Sequence, residues 1–153
     1  TWLGDGKTLR FVPKFPLRQE TNYLLTASSR IKDASGNVME EVFTSEFTTG
    51  EWPAVTSVIP QDGATDISTE TKIFVTFNKD ITPQNGFFTL RKKGSSLIIN
   101  SNIDWDGDRT LILNPKSALL SDTPYTVTVK VGIVRDAEGN TIVEDFISEF
   151  TTR

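Results

Sequence analysis

The sequence predicts an all-β protein built as a two-layer antiparallel sandwich, and three observations carry that prediction. Apolar and polar residues alternate over short runs such as Ile73-x-Val75-x-Phe77, the period of a half-buried strand. Turn-forming clusters such as Pro60-Gln61-Asp62-Gly63 separate those runs. Nowhere do apolar positions recur at helical spacing for the ~11 residues a helix needs. About seven or eight such runs per hundred residues, with turns between them, imply two sheets meeting face to face.

In chain order, residues 2–7 read as a turn and 8–12 as a strand placing Leu9 and Phe11 on one face. Pro13 and Pro16 forbid helix and break the ladder, so the chain crosses between sheets there. Residues 21–29 form the next strand, with Tyr23, Leu25 and Ala27 on one side. Residues 32–37 reverse the chain: Asp33 and Asn37 bond local backbone, and Gly36 supplies a positive φ. Residues 43–49 are a third strand, with Phe43, Ser45 and Phe47 inward. Residues 50–53 are a short linker stiffened by Pro53, which restricts the angle between the flanking pieces. Beyond it, 54–59 and 72–78 are strands and 81–83 an edge segment, where Pro83 donates no ladder bond. Strands over 87–91 and 97–99 flank a turn at 92–95. Strands over 110–113, 124–131 and 146–152 complete the set, with 136–140 as a hairpin turn.

The last third of the chain nearly repeats the first. Trp2 aligns with Trp105 and, after one residue is dropped from the second turn, Thr8 aligns with Thr110, Leu17 with Leu119, Thr21 with Thr123 and Tyr23 with Tyr125. A one-residue shift then sets Asp33, Gly36 and Asn37 on Asp136, Gly139 and Asn140. The same shift sets Phe43-x-Ser45-Glu46-Phe47-Thr48-Thr49 on Phe146-x-Ser148-Glu149-Phe150-Thr151-Thr152. Register held across so many chemically different positions means a duplicated structural unit. The second copy follows a segment, 51–103, that the first lacks. The expected organisation is a complete sandwich domain over residues 51–153, preceded over residues 1–50 by the C-terminal half of another, truncated copy.

These residues also carry a family resemblance. Val55-Thr56-Ser57-Val58-Ile59-Pro60-x-Asp62-Gly63-Ala64-Thr65-Asp66-Ile67 followed by Ile73-x-Val75-x-Phe77 resembles the start of bacterial immunoglobulin-like domains of the S-layer and surface-protein type. Leu119-x-x-x-Thr123-x-Tyr125, the Asp136-to-Asn140 turn and the closing Phe146-x-x-x-Phe150-Thr151-Thr152 resemble the end of such a domain. The resemblance spans 53–152, and 1–49 as a back half. It implies an Ig-like sandwich, an extracellular or cell-surface location, and a role as a tandem spacer or adhesive module, sometimes beside a secreted enzyme. Tyr23 and Tyr125 resemble the tyrosine corner, whose hydroxyl bonds back to the upstream chain. With Asp33, Gly36, Asn37, Asp136, Gly139 and Asn140 they are expected to be structural.

Composition narrows the chemistry. Net charge is −4 with the signs interspersed, so no basic stripe exists to track nucleic acid or an anionic membrane. No apolar run approaches the ~18 residues needed to cross a bilayer, so this fragment is not expected to insert into a membrane. Cysteine and histidine are both absent, which removes disulfides, thiol chemistry, the usual general base and the commonest zinc ligand. Carboxylate pairs such as Glu40-Glu41 and Glu144-Asp145 fall in turns, with nothing to set them across a cleft for glycoside hydrolysis. A non-enzyme without a cofactor is expected. One acidic cluster is a candidate metal site: Asp104, Asp106 and Asp108 around Gly107 resemble the opening of a calcium loop. The alternative is a solvated Asp-Gly turn, which also explains Asp5-Gly6 in the first copy. Trp2 and Trp105 are expected to cover a sandwich end and Trp52 to pack at the junction. Were the three exposed in a row instead, they would suit a surface glycan.

The expected partners are neighbouring Ig-like repeats, and alternatively a surface glycan or protein ligand. The first fifty residues present Leu9, Phe11, Tyr23, Leu25, Phe43 and Phe47 on faces whose opposing sheet is missing. Each is worth ~1.5–3 kcal/mol if buried, so a homodimer covering this half-domain is a further expectation.

Overall fold

The computed structural model describes residues 1, 3–15, 17–82 and 88–153; expectations placed on Trp2, Pro16, Pro83 and Phe87 lie outside the described residues. The chain divides into two compact units, Thr1–Glu51 and Trp52–Arg153. Every element among the described residues is a strand, as period-two patterning predicts.

The second unit is the sandwich. One sheet runs in the order β3 (Val55–Ile59), β5 (Ile73–Phe77), β8 (Thr110–Pro115), β7 (Ser101–Asp106), and the other β4 (Ala64–Ile67), β10 (Phe146–Thr152), β9 (Pro124–Val129), β6 (Phe88–Lys92). All pairings are antiparallel except β4 with β10. Alternate residues of each layer point inward: Ile73, Val75, Phe77, Leu111 and Leu113 meet Leu90, Tyr125, Val127, Val129 and Phe150, all buried. Leu119, Val134 and Ile142 close the ends of this core from loops. At ~1.5–3 kcal/mol for each fully buried apolar side chain, this one cluster supplies the driving force of the unit.

The first unit holds one hairpin, β1 (Asn22–Ala27) antiparallel to β2 (Phe43–Thr48). Its register repeats that of β9 with β10: Tyr23 faces Phe47, Leu25 faces Ser45 and Ala27 faces Phe43, as Tyr125 faces Phe150, Val127 faces Ser148 and Val129 faces Phe146. The burial differs completely. Leu25, Phe43 and Phe47 are 38%, 53% and 45% exposed, so the face expected to be covered lies open in the chain itself.

Other departures from expectation have identifiable causes. Residues 8–12 are not a strand, although their counterparts lie in β8. β8 is clamped between β5 and β7, whereas the described residues of 1–10 bond to one another, the Arg10 N–H donating to the Thr1 carbonyl and the Thr1 ammonium to the Arg10 carbonyl. A β pattern lacking a second neighbour does not hold a ladder. Residues 97–99 likewise reduce to a single bridge, Arg91 with Ile98. Conversely β4 and β7 escape a local reading. β4 takes its partner, β10, from the far end of the sequence, and β7 is an edge strand whose outward Asp104 and Asp106 mimic a turn.

Candidate functional site

The densest polar organisation in the molecule is a scaffold built twice. Where the chain enters β9, Thr123, Tyr125 and Thr152 lock the preceding loop onto the sheet. The Tyr125 hydroxyl accepts from the Leu120 backbone N–H at 2.9 Å, and the Tyr23 hydroxyl accepts from that of Arg18 at 2.8 Å. Thr152 Oγ1 accepts from Thr123 N–H and donates to the Leu120 carbonyl; Thr49 does the same with Thr21 and Arg18. Thr123 and Thr21 each donate their hydroxyl to the carbonyl two residues before them, at 2.7 and 2.8 Å. The tyrosine ring stacks on the phenylalanine opposite, Tyr125 on Phe150 and Tyr23 on Phe47, both with centroids 5.7 Å apart. Both tyrosine hydroxyls thus bond back to the chain five residues upstream.

The Asp-x-x-Gly-Asn turn is duplicated as closely. Asp136 Oδ1 accepts from the backbone N–H of Glu138 and Asn140, and Oδ2 from the Asn140 amide; Asp33 accepts from Ser35, Asn37 and the Asn37 amide in the same way. Gly139 and Gly36 sit at φ of 86° and 89°, a left-handed conformation that explains glycine at both positions. One difference separates the copies. The Asp136 side chain is 2% exposed and receives the Lys79 ammonium at 2.9 Å. Burial alone would push the Asp136 carboxyl up; Lys79 and the Asn140 donors overcome it and hold the pKa at about 2. Asp33 is exposed, and its carboxyl is lowered chiefly by the Asn37 side-chain and backbone donors.

The remaining candidates do not converge. Asp104 and Asp106 project from the exposed face of β7, and Asp108 sits beyond Gly107 in the following turn, its carbonyl accepting from Ile81. Asp104 caps the N–H of Trp105. No group of three or more His, Cys, Asp or Glu that could hold a metal ion is found among the described residues. In the first unit Asp5 folds its own turn, accepting from Thr8 Oγ1 and from the N–H groups of Lys7 and Thr8, which lower its carboxyl. Among the other carboxylates, Asp145 is held by Lys130 and the Val131 N–H, and Glu149 by Lys93. Trp105 turns inward, stacked on Phe77 at 6.3 Å and edge-on to Phe88 at 6.1 Å, so it offers no sugar platform. Trp52 is half-buried, its carbonyl accepting from the Asn78 amide. Ser148 faces the core opposite Val127, and its buried hydroxyl finds no partner among the described residues.

The sandwich surface carries several shallow, open grooves. A groove of about 470 Å³ runs along one end of the sandwich, its apolar wall made by Leu97, Ile98 and Leu120 with Lys92 and Lys116 beside it. Leu97 and Leu120 are 76% and 61% exposed. Three residues with structural weight carry little local signal. Thr152 is visible only through its duplicate Thr49, while Lys79 and Asp62, whose carboxylate caps the Glu149 N–H at 2.8 Å, occur once and act across 57 and 87 residues.

Comparison with known proteins agrees with this architecture. A family profile described as "Bacterial Ig-like domain" matches residues 51–152. The crystal structure of the N-terminal part of the bacterial S-layer protein SbsC is 22% identical, with a TM-score of 0.51, over 67% of this chain and 24% of that one. A longer SbsC structure is 21% identical at a TM-score of 0.49 over 67% of this chain and 14% of that one. The crystal structure of CopC from Methylosinus trichosporium OB3b is 14% identical at a TM-score of 0.51, over 65% of this chain and 92% of that one. The chain therefore spans only a small part of the S-layer chains it resembles. No curated protein sequence matches it.

Proposed function

Since the chain belongs to the bacterial Ig-like domain family, through residues 51–152, we propose that it is a non-catalytic spacer segment of a bacterial cell-surface or secreted protein, set in a series of such repeats. The observation that carries this reading is the duplication of the corner and the Asp turn, bond for bond, in two successive units. Their polar groups are consumed in holding the fold. An enzyme instead keeps some of its polar groups unpaired and convergent in a cleft. On this reading Asp104 and Asp106, on the wet face of β7, and Asp108, in the turn after it, meet water rather than calcium. Neighbouring repeats are the main partners, and the setting is extracellular.

A second reading, a glycan- or protein-binding accessory module of a secreted enzyme, is favoured by the groove at Leu97 and Leu120. One screen separates the two. The full chain is applied to a glycan array and to bacterial cell-wall material, and its melting is followed with calcium and with chelator. The spacer reading expects no saturable binding and superimposable melting curves. Saturable binding abolished by Leu120→Glu would transfer the assignment to the groove. A melting temperature raised by calcium would restore the metal site.

A further inference from the structure

The second unit leaves part of a sheet edge without a partner. Backbone N–H and C=O groups alternate in direction along a strand. In β10, Glu149 turns its N–H to the Asp62 carboxylate and its carbonyl to the Gly63 N–H, away from β9. Ile147, two residues earlier in the same unbroken register with β9, faces away from β9 as well. β4 meets β10 only at Phe150 and Thr152, so it stops short of Ile147. Beside this open edge lies a groove of about 360 Å³, walled by Pro53, Val55, Val143, Glu144 and Ile147. Val143 and Ile147 are exposed apolar side chains. The wall is acidic: residues 137–152 carry Glu138, Glu144, Asp145 and Glu149 and no cation. Asp145 and Glu149 are matched by Lys130 and Lys93, whereas Glu144 is exposed and has no ion pair among the described residues.

The first unit holds a segment of complementary character. Residues 6–19 carry Lys7, Arg10, Lys14 and Arg18 and no carboxylate. None of these cations has an ion pair among the described residues. Leu9, Phe11 and Val12 are exposed, Leu9 and Phe11 at the spacing of one strand face. Thr8 and Arg10 bond to Leu3 and Thr1, so one edge of the segment is occupied. Leu9 turns its backbone the other way, and neither it nor Phe11 makes a backbone hydrogen bond among the described residues. We propose that residues 7–14 of one copy of the chain add as a strand to the β10 edge of a second copy. Leu9 and Phe11 then pair their backbone with the edge at Ile147, and the cations face Glu144. Strand addition supplies the ladder bonds that both edges lack. Charge selects this segment over the other open edges of the first unit, since β1 carries no charge and β2 carries Glu46. The contact is heterologous: each copy gives its segment to one neighbour and its groove to another.

Sedimentation equilibrium on the full chain, from micromolar to millimolar concentration, tests the proposal, with thermal melting followed to show that each variant folds. The mass is expected to rise with concentration past that of a dimer, and the association to weaken as salt is raised. Glu144→Lys and Arg10→Glu are each expected to weaken it about tenfold or more. Mixing the two variants is expected to restore pairing that stops at the dimer, since only the segment of the first and the groove of the second remain intact. A chain that stays monomeric throughout would overturn the proposal, as would association that neither variant alters. A mixture no more associated than its parts would do the same, because one segment meeting one groove requires the two variants to complement each other.

Discussion

Asp136→Ala is expected to destabilise the Trp52–Arg153 unit by about 3 kcal/mol, whereas Asp33→Ala, its exact counterpart in sequence, costs no more than about 1 kcal/mol. Both carboxylates organise the same turn through the same donors. Asp136 does so at 2% exposure and also answers Lys79, so its removal takes the acceptor from the part-buried Glu138 and Asn140 N–H groups and strips the Lys79 ammonium of its 2.9 Å partner, leaving Glu138 at 3.8 Å. Around Asp33 water replaces what is lost. The pH dependence follows with a definite sign. The Asp136 carboxyl titrates near 3.8 when unperturbed and at about 2 in the folded unit. Its contribution is fully present above the unfolded value and is lost as pH falls through the folded one. That amounts to about 2 kcal/mol of acid sensitivity. Urea titrations at neutral pH and near pH 2 measure both effects. Asp136→Ala should flatten the acid loss; a variant with the wild-type acid slope would contradict the assignment.

The second large effect is in the core. Phe150→Ala is expected to cost about 3–5 kcal/mol, and Phe47→Ala less than about 1 kcal/mol. Phe150 is 2% exposed, stacked on Tyr125 and enclosed by the opposing sheet, so truncation leaves a cavity that the two layers cannot close. Phe47 makes the same stack on Tyr23, but at 45% exposure its far side already faces water. Equal costs at the two positions, read from denaturant midpoints with an unchanged slope, would mean that the first unit is enclosed in solution.

Most of the fold was legible because its signals are local. Ile73, Val75 and Phe77 alternate cleanly, and the Asp-x-x-Gly-Asn turns need positive φ at one position only glycine fills cheaply. The duplication made the corner legible as well, since Tyr23 with Thr49 and Tyr125 with Thr152 vouch for each other. What escaped was non-local. β4 pairs with a strand more than eighty residues away. Lys79 is one lysine among many until the fold brings it to Asp136. Residues 8–12 carry the pattern of β8 without its neighbours, which the pattern itself cannot reveal. The acidic run at 104–108 was open to two readings because alternating aspartates suit an edge strand's wet face as well as a cation.

Amide hydrogen exchange resolved by residue tests the central claim, one corner-and-turn scaffold built twice, buried in the second unit and exposed in the first, most directly. The account predicts that the amides paired between β9 and β10 exchange only through unfolding of the whole second unit, and that those paired between β1 and β2 exchange at least about a hundredfold faster through local opening. Matching protection in the two hairpins, at low protein concentration and with the chain monomeric, would contradict it.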